Sequence, residues 1–148
     1  MMTPAQFPIY SIGYGKRTIA EFIDLLQRHR IQYLVDVRTT PYSRFNPDFS
    51  REPLKKHLAA HQIHYIYLGD SLGGRPADPT CYTDGQVDFQ KLSQKDYFQE
   101  GIMRLTEVWA QGFPLAVMCS EAKPQHCHRS VLIAPALTAR GIEVVHIE

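Results

Sequence analysis

At residues 8–26 the chain reads PIYSIGYGKRTIAEFIDLL. The apolar run that begins at Pro8 ends at Gly13, and a polar turn follows it. From about Thr18, a residue type that caps helices, apolar side chains recur at the i, i+3, i+4 and i+7 spacing of a helix with one buried face. This pattern predicts a strand, a tight turn and a helix, which is the repeating unit of a parallel α/β sheet. The apolar helical positions are Ile19, Phe22, Ile23 and Leu26.

The same alternation of short apolar runs and helical spacing continues along the chain. We therefore predict a single three-layer α/β domain over residues 1–148, with a mainly parallel sheet of about five strands flanked by helices. Gly112 should end the longest helix, and Pro135 should kink the last one because it removes a hydrogen bond. The predicted strands are 8–13, 33–37, 64–68, 115–119 and 143–147, and helices are expected from about Thr18, from Ser50, around Phe98 to Trp109 and from about Cys127.

Length and composition limit the classes of protein. The chain has 148 residues, 44% of them hydrophobic, which suffices for one ordinary domain and is too little for two large ones. Sixteen Lys and Arg against fifteen Asp and Glu leave a formal net charge of +1, which disfavours bulk electrostatic binding to nucleic acid. No apolar run approaches the roughly 20 residues of a membrane-spanning helix. With three cysteines and no secretory signal in MMTPAQFPIYS, we expect a cytoplasmic protein without a membrane partner.

Polar residues follow four of the predicted strands. Two connections, Arg38 to Phe49 and Gly69 to about Asp88, are also longer than the usual length of about two to six residues and are typical of binding loops. Because the carboxyl ends of parallel strands meet at one edge of the sheet, we expect a site there. The candidates are Gly13, Gly15 and Thr18 after the first strand, Asp36 and Arg38 after the second, Arg75 after the third, and Cys119, Glu121, Cys127, His128 and Arg129 after the fourth.

The glycine-containing stretches have two interpretations each. The turn from Gly13 to Thr18 can present backbone N–H groups to an anion, but its spacing matches neither the dinucleotide fingerprint nor the P-loop. For Gly15 we favour a tight turn that Thr18 caps. Gly73 and Gly74 form either a flexible bend or a hinge that lets Arg75 reach a phosphate or carboxylate.

Asp36 and Arg38 place two charges at the end of an apolar strand. An ionised carboxylate near a core needs a partner, since its isolated burial is costly. One interpretation is a pairing with charged neighbours. The other is functional: Asp36 orients an active residue or accepts a substrate hydroxyl, and Arg38 holds an anion.

The richest segment is 118–130, MCSEAKPQHCHRS. A helix dipole and nearby cations favour the thiolate of Cys127 or Cys119, and a histidine can transfer the proton. The donor atoms of both cysteines, Glu121 and His128 also suit zinc or iron, although the spacing fits no common closed zinc motif. For Cys119, a small buried apolar residue is the structural alternative.

We therefore weigh three functions and assign no cofactor. The preferred one is an enzyme that acts on an anionic small molecule, a nucleotide or sugar phosphate. In it the thiols, Glu121, His128 and Asp36 act in catalysis, and Arg38, Arg75 and Arg129 grip the anion. The second is a zinc- or iron-binding protein that uses the same cluster. The third, less favoured, is a nucleic-acid-binding or modifying module with Tyr42 to Phe49 as a stacking loop.

Four separated segments carry a family resemblance: IYSIGYGKRTIAEFIDLL, YLVDVRTTPYSRFNPDFS, YLGDSLGGRP and MCSEAKPQHCHRSVLIAPAL. Together they resemble the domain of unknown function 488 family over nearly the whole chain. The resemblance implies an α/β domain of bacteria and archaea and assigns no reaction. The positions that match the family's motifs are Gly13, Thr18, Asp36, Arg38, Pro41, Ser43, Gly69, Leu72, Gly73, Cys119, Glu121, Cys127, His128 and Arg129.

Overall fold

The strands and helices follow one another in the alternation that the apolar pattern predicts. The computed structural model describes residues 7–121, 128 and 132–147. Its strands are β1 (Ile9–Gly13), β2 (Tyr33–Asp36), β3 (His64–Tyr67), β4 (Tyr82–Thr83), β5 (Gln86–Val87), β6 (Leu115–Cys119) and β7 (Val144–Ile147). Its α-helices are α1 (Ile19–Arg28), α2 (Arg51–Ala59), α3 (Gly69–Leu72), α4 (Phe89–Ser93), α5 (Asp96–Ala110) and α6 (Ala134–Thr138), with short 3₁₀ turns at Pro47–Phe49 and Pro79–Cys81.

Five of the strands form one all-parallel sheet in the order β3-β2-β6-β1-β7. The central strand β6 is buried at every residue, which explains its uninterrupted apolar run. Its last residue, Cys119, pairs with Gly13 of β1, and Met118 pairs with Asp36 of β2. The ends of β1, β2 and β6 therefore lie side by side at the carboxyl edge.

Helices cover both faces of the sheet. On one face, Leu34 and Met118 belong to a core that includes α1 and α2. On the other, Val35 and Val117 belong to a core with α3, α4, α5 and α6. The three-layer α/β class with a parallel sheet is thus confirmed. No helix within the described ranges has both the length and the apolar character needed to cross a bilayer.

Helix α1 begins where its capping signal predicts. The Thr18 hydroxyl accepts a hydrogen bond from the Glu21 N–H at 3.1 Å, and the Glu21 carboxylate accepts one from the Thr18 N–H at 3.0 Å. This reciprocal capping box satisfies two N–H groups that the helix itself leaves unpaired. The buried side chains of α1 are Phe22, Ile23 and Leu26, as its periodicity predicts.

The differences from the predicted elements are local. Strand β1 starts at Ile9 rather than Pro8, and β2, β3 and β7 are each one residue shorter than expected. The stretch after Gly69, predicted as one long loop, contains α3, a 3₁₀ turn and the β4–β5 hairpin. Elements of two to four residues are too short to show periodicity, so the pattern does not reveal them. Near Pro135, a π-helical turn at Leu132 and Ile133 precedes α6, and the predicted helix start at Cys127 lies outside the described residues.

The topology creates a crevice at the carboxyl edge. The chain leaves β1 and β2 for helices on one face, whereas it leaves β6, which lies between them, for the helix α6 on the other face. Neighbouring strands whose connections diverge in this way open a gap beyond their carboxyl ends, where ligands of open α/β sheets bind.

Candidate functional site

A cavity of about 630 Å³ lies at this crevice. Its volume falls within the range of small-molecule sites, about 300–1,000 Å³. Residues that follow β1, β2 and β6 line it, together with residues of the segment after α3 and with His128. The lining consists of Tyr14, Arg38, Thr39, Thr40, Tyr42, Gly74, Arg75, Val87, Phe89, Cys119, Ser120, Glu121 and His128.

Arg38 and Asp36 form a buried ion pair at the floor of the site. Asp36 is fully buried and Arg38 is only 6% exposed. The guanidinium donates from Nε to Oδ1 at 2.9 Å and from Nη2 to Oδ2 at 2.8 Å, and the backbone N–H of Arg38 also donates to Oδ1 at 3.1 Å. Such a two-point contact fixes the plane of the guanidinium as well as its position.

Within the described residues, the pair leaves the Nη1 atom of the guanidinium without a hydrogen-bond partner. Nη1 of Arg38 is buried and makes no hydrogen bond within the described part of the chain. Burial alone lowers the pKa of Arg38, but the hydrogen bonds and charge of Asp36, with a smaller contribution from Tyr14, outweigh this effect, so the pKa is raised and the group stays cationic. A buried donor without an acceptor costs about 1–3 kcal/mol.

Two tyrosines of β3 support this arrangement from behind. The Tyr65 hydroxyl donates to Oδ2 of Asp36 at 2.6 Å, and the Tyr67 hydroxyl donates to the Thr39 carbonyl at 2.7 Å. Burial raises the pKa of Tyr65, and the neighbouring Asp36 carboxylate raises it further. Tyr65 is therefore a hydroxyl donor throughout the physiological pH range.

Glycines allow the segment after β3 to approach the loop after β2. A Cβ atom on Gly73 would lie 2.2 Å from Oγ1 of Thr39, and one on Gly69 would lie 1.8 Å from the Arg38 carbonyl oxygen. The N–H of Arg75 donates to Oγ1 of Thr39 at 3.0 Å. Position 73 thus requires glycine because the backbone and Thr39 approach it closely, and not because the chain must bend there.

His128 packs on the same segment. Its Nε2 lies 3.1 Å from the Val37 carbonyl oxygen, which can only accept, so Nε2 is protonated and donates this hydrogen bond. A Cβ atom on Gly74 would lie 2.9 Å from Cγ of this ring. These two contacts fix the position of the imidazole ring at the cavity wall.

Cys119 ends β6 at the base of the cavity. It is only 2% exposed and is disulfide-bonded in this structure, with Sγ 3.7 Å from the Glu121 carbonyl oxygen. A nucleophilic role for Cys119 therefore requires reduction of its disulfide first. Among the described cysteines, Cys81 is free, but it is buried away from the cavity, with Sγ 3.1 Å from the Tyr97 hydroxyl.

The turn after β1 ties two strands together. Tyr14 N–H donates to the Cys119 carbonyl at 3.3 Å, and Gly15 N–H donates to the Ser120 carbonyl at 2.9 Å. Gly15 adopts a positive φ of 51°, as a tight turn requires, while Thr18 caps α1. Gly13, Gly15 and Thr18 do not line the cavity, and their part in anion binding stays a prediction.

The structure brings together predicted residues from three strand ends. Arg38, Arg75, Cys119, Glu121 and His128 line one cavity, with Asp36 directly behind Arg38. The predicted residues Cys127 and Arg129 lie outside the described residues.

Sequence reasoning missed several residues of the site. It placed Tyr14 at this edge of the sheet without giving it a role, and it singled out neither Phe89 of the lining nor Tyr65 behind Asp36. A buried Asp36 needs hydrogen-bond donors, so the sequence could predict that some donor contacts it. Only the pairing of β2 with β3 shows that this donor is Tyr65.

The described residues contain no group of three or more His, Cys, Asp or Glu side chains that could hold a metal ion. Cys119, Glu121 and His128 are all described, so these three do not form such a group by themselves.

Comparison with known proteins assigns the chain to a family. No curated protein and no solved structure matches the chain. A family model of a domain of unknown function, DUF488, matches residues 18–135, which run from the cap of α1 into α6 and include most of the cavity lining. The resemblance of the four sequence segments is thereby confirmed, and the chain belongs to the DUF488 family.

Proposed function

We propose that this protein is an enzyme that acts on an anionic small molecule, a nucleotide or sugar phosphate, in the cavity at the carboxyl edge of the sheet. The observation that carries the proposal is Nη1 of Arg38, which has no hydrogen-bond partner among the described residues and belongs to a side chain that lines this cavity. Asp36 occupies the other edge of the guanidinium, so the free donors are preorganised for an oxyanion.

Two further features of the lining support a phosphate-bearing ligand. Arg75, an exposed residue at the cavity, supplies a second cation. The aromatic side chains Tyr14, Tyr42 and Phe89 supply flat apolar surface that suits a base or the face of a sugar. Cation and apolar surface together fit a molecule with a charged end and a less polar body.

Groups capable of proton transfer lie in the same wall. His128, whose Nε2 faces the Val37 carbonyl, is a candidate general acid or base, and Glu121 is a second candidate. Cys119 adds a nucleophile only when a thiol reductant has opened its disulfide. Neither metal nor cofactor is part of this proposal.

Binding of inorganic phosphate and adenosine monophosphate, measured by calorimetry, tests the anion site. Arg38→Gln should weaken both by about tenfold to 150-fold, because a charge-assisted hydrogen bond is worth about 1.5–3 kcal/mol. Since this variant leaves Asp36 unpaired, the double variant Asp36→Asn/Arg38→Gln removes both charges and is tested beside it. The matched control is Arg28→Gln, whose exposed guanidinium pairs with Asp24 on the surface of α1.

Equal dissociation constants for the wild type, the double variant and Arg28→Gln would refute the anion site. Turnover is measured separately by phosphorus NMR on a panel of nucleotides and sugar phosphates. His128→Ala should abolish turnover of any substrate found there, and His128→Ala with full activity would remove the histidine from the mechanism.

A further inference from the structure

The loop after β2 exposes two aromatic side chains and a cation. Phe45 is 93% exposed and Tyr42 is 65% exposed, and the guanidinium carbon of Arg44 lies 5.6 Å from the centre of the Phe45 ring. Exposure of a phenylalanine to this degree leaves nearly its whole apolar surface in water. A single exposed apolar side chain is ordinary on a protein surface, but two aromatic rings and a cation on one loop beside a cavity form a candidate binding surface.

Hydrogen bonds at its base hold this loop in place. The Ser43 N–H donates to Oγ of Ser50 at 3.0 Å, and the Asn46 N–H donates to Oγ of Ser43 at 3.2 Å. The side chain of Asn46 donates to the Arg17 carbonyl at 3.0 Å, which joins the loop to the turn after β1. The aromatic rings are thus presented on an ordered support, and binding costs little additional ordering.

The charges around the loop favour an anionic partner. Arg44 lies on the loop, Lys16 and Arg17 lie on the adjoining turn, and the cavity beside it holds Arg38 and Arg75. The nearby carboxylate Asp48 is 3.1 Å from Nε2 of His57, and Glu121 lies in the cavity wall. Asp36 offsets the charge of Arg38, and Glu21 lies close enough to Arg17 to interact with it. The excess of cations on this part of the surface therefore rests on Arg44, Lys16 and Arg75, while the net charge of the whole chain is only +1.

Tyr42 connects the loop to the cavity because it belongs to both. A single free nucleotide fits within the cavity and would leave Phe45, which is not part of the lining, in water. A strand of nucleotides would place one phosphate at Arg38 and continue over the exposed rings. Unpaired bases stack on such aromatic side chains, whereas a duplex keeps its bases stacked on each other.

We propose that Tyr42, Arg44 and Phe45 form a stacking surface for single-stranded nucleic acid, whose phosphodiester backbone enters the cavity at Arg38. This inference rests on the proposed anion site and specifies its ligand. The two aromatic residues bind successive bases without reading their sequence, and Arg44 contributes a phosphate or cation–π contact.

Fluorescence anisotropy with labelled oligo(dT) and oligo(U) of about a dozen nucleotides tests the inference. Phe45→Ala and Tyr42→Ala should each weaken binding by about fivefold to 150-fold, as expected for loss of one stacked base. The matched control is Met103→Ala, which removes an exposed apolar side chain of α5 at 52% exposure and should leave the affinity unchanged. A duplex of the same length should bind more weakly than the single strand.

The outcomes separate this inference from the proposed function. Oligonucleotide binding that Phe45→Ala and Tyr42→Ala leave unchanged, or no binding at low salt, overturns the stacking surface. The anion site is tested by adenosine monophosphate, whose affinity must fall in the double variant Asp36→Asn/Arg38→Gln. If the nucleotide binds and the oligonucleotide does not, the inference fails and the proposed function stands.

Discussion

The proposed anion site depends on Arg38, whose orientation follows from the hydrogen-bond donors around Asp36. A buried carboxylate must be satisfied by donors, and the guanidinium, the Arg38 N–H and the Tyr65 hydroxyl provide them. Of the two interpretations of Asp36 from sequence, pairing with a charged neighbour is seen directly. The same contact also orients Arg38 toward the cavity, which the functional interpretation requires.

Tyr65→Phe removes one donor to Asp36. We expect a loss of about 1–3 kcal/mol in the free energy of unfolding, because the buried carboxylate loses a hydrogen bond that water cannot replace. Urea denaturation measures the change. The matched control is Tyr10→Phe, a tyrosine of β1 whose described ring contact is with His29. Equal losses for the two variants would mean that the Tyr65 hydroxyl does not matter to the buried pair.

The two described cysteines should differ in reactivity toward an alkylating agent. In the oxidised protein neither should react, since Cys119 is disulfide-bonded and Cys81 is fully buried. After reduction of the folded protein, Cys119 should be alkylated faster than Cys81, because it lines the cavity. Peptide mass spectrometry after timed quenching gives both rates. Equal rates would show that the Cys119 thiol is not accessible from the cavity.

At the level of elements, the segment between α3 and α5 forms one wall of the site. Gly74, Arg75, Val87 and Phe89 come from it. Its β4–β5 hairpin turns at Asp84 and Gly85, both with positive φ, which suits a two-residue hairpin turn. This wall is built from pieces too short for the apolar pattern to predict, although the unusual length of the connection did indicate a binding loop.

Asp78 fixes this wall to α5, and its effect should depend on pH. Its carboxylate accepts hydrogen bonds from the Thr80 hydroxyl and N–H, at 2.6 and 2.9 Å, and from the Tyr97 hydroxyl at 3.2 Å. The bonds from Thr80, above all, lower the pKa of Asp78 from 3.8 to about 2. The folded state therefore favours the charged form. This stabilisation is fully present above pH 3.8 and is lost as the pH falls through about 2.

Asp78→Asn should consequently lower the melting temperature near neutral pH, and the gap to the wild type should close as the pH approaches 2. Calorimetric melting curves across this range measure it. Asp24→Asn serves as control, since Asp24 forms an exposed ion pair with Arg28 and should change stability little. A gap that stays constant down to the lowest pH would contradict the argument.

For the whole molecule, the class of fold was predictable because buried apolar residues recur along the sequence with the period of the strand or helix that carries them. Strands covered on both faces read as continuous apolar runs, and helices with one buried face show the 3.6-residue period. The capping pair of Thr18 and Glu21 likewise left a local signal. The positions of the five parallel strands could be predicted to within one residue at each end for these reasons.

The candidate site was predictable only as a set of residues at one edge. Parallel strands deliver their carboxyl ends to the same side, so Arg38, Cys119 and Glu121 were expected to be near each other. Local sequence carries no information on which strand neighbours which. The order β3-β2-β6-β1-β7, which places β6 between β1 and β2 and opens the crevice there, depends on long-range pairing.

The sequence by itself therefore determined the layers, the parallel sheet and the edge at which polar residues gather, because periodicity and caps are local properties. Only the tertiary structure decided that the guanidinium of Arg38 contacts Asp36 along one edge while its Nη1 has no hydrogen-bond partner in the described part of the chain. These contacts depend on side-chain geometry and on Tyr65 from another strand. The tertiary structure likewise decided the requirement for glycine at positions 69 and 73, because the loop after β2 passes too close to these positions to leave room for a Cβ atom. Burial of apolar side chains produces a periodic pattern that can be seen in the sequence. Which donor meets which acceptor depends on how segments distant in the sequence pack together.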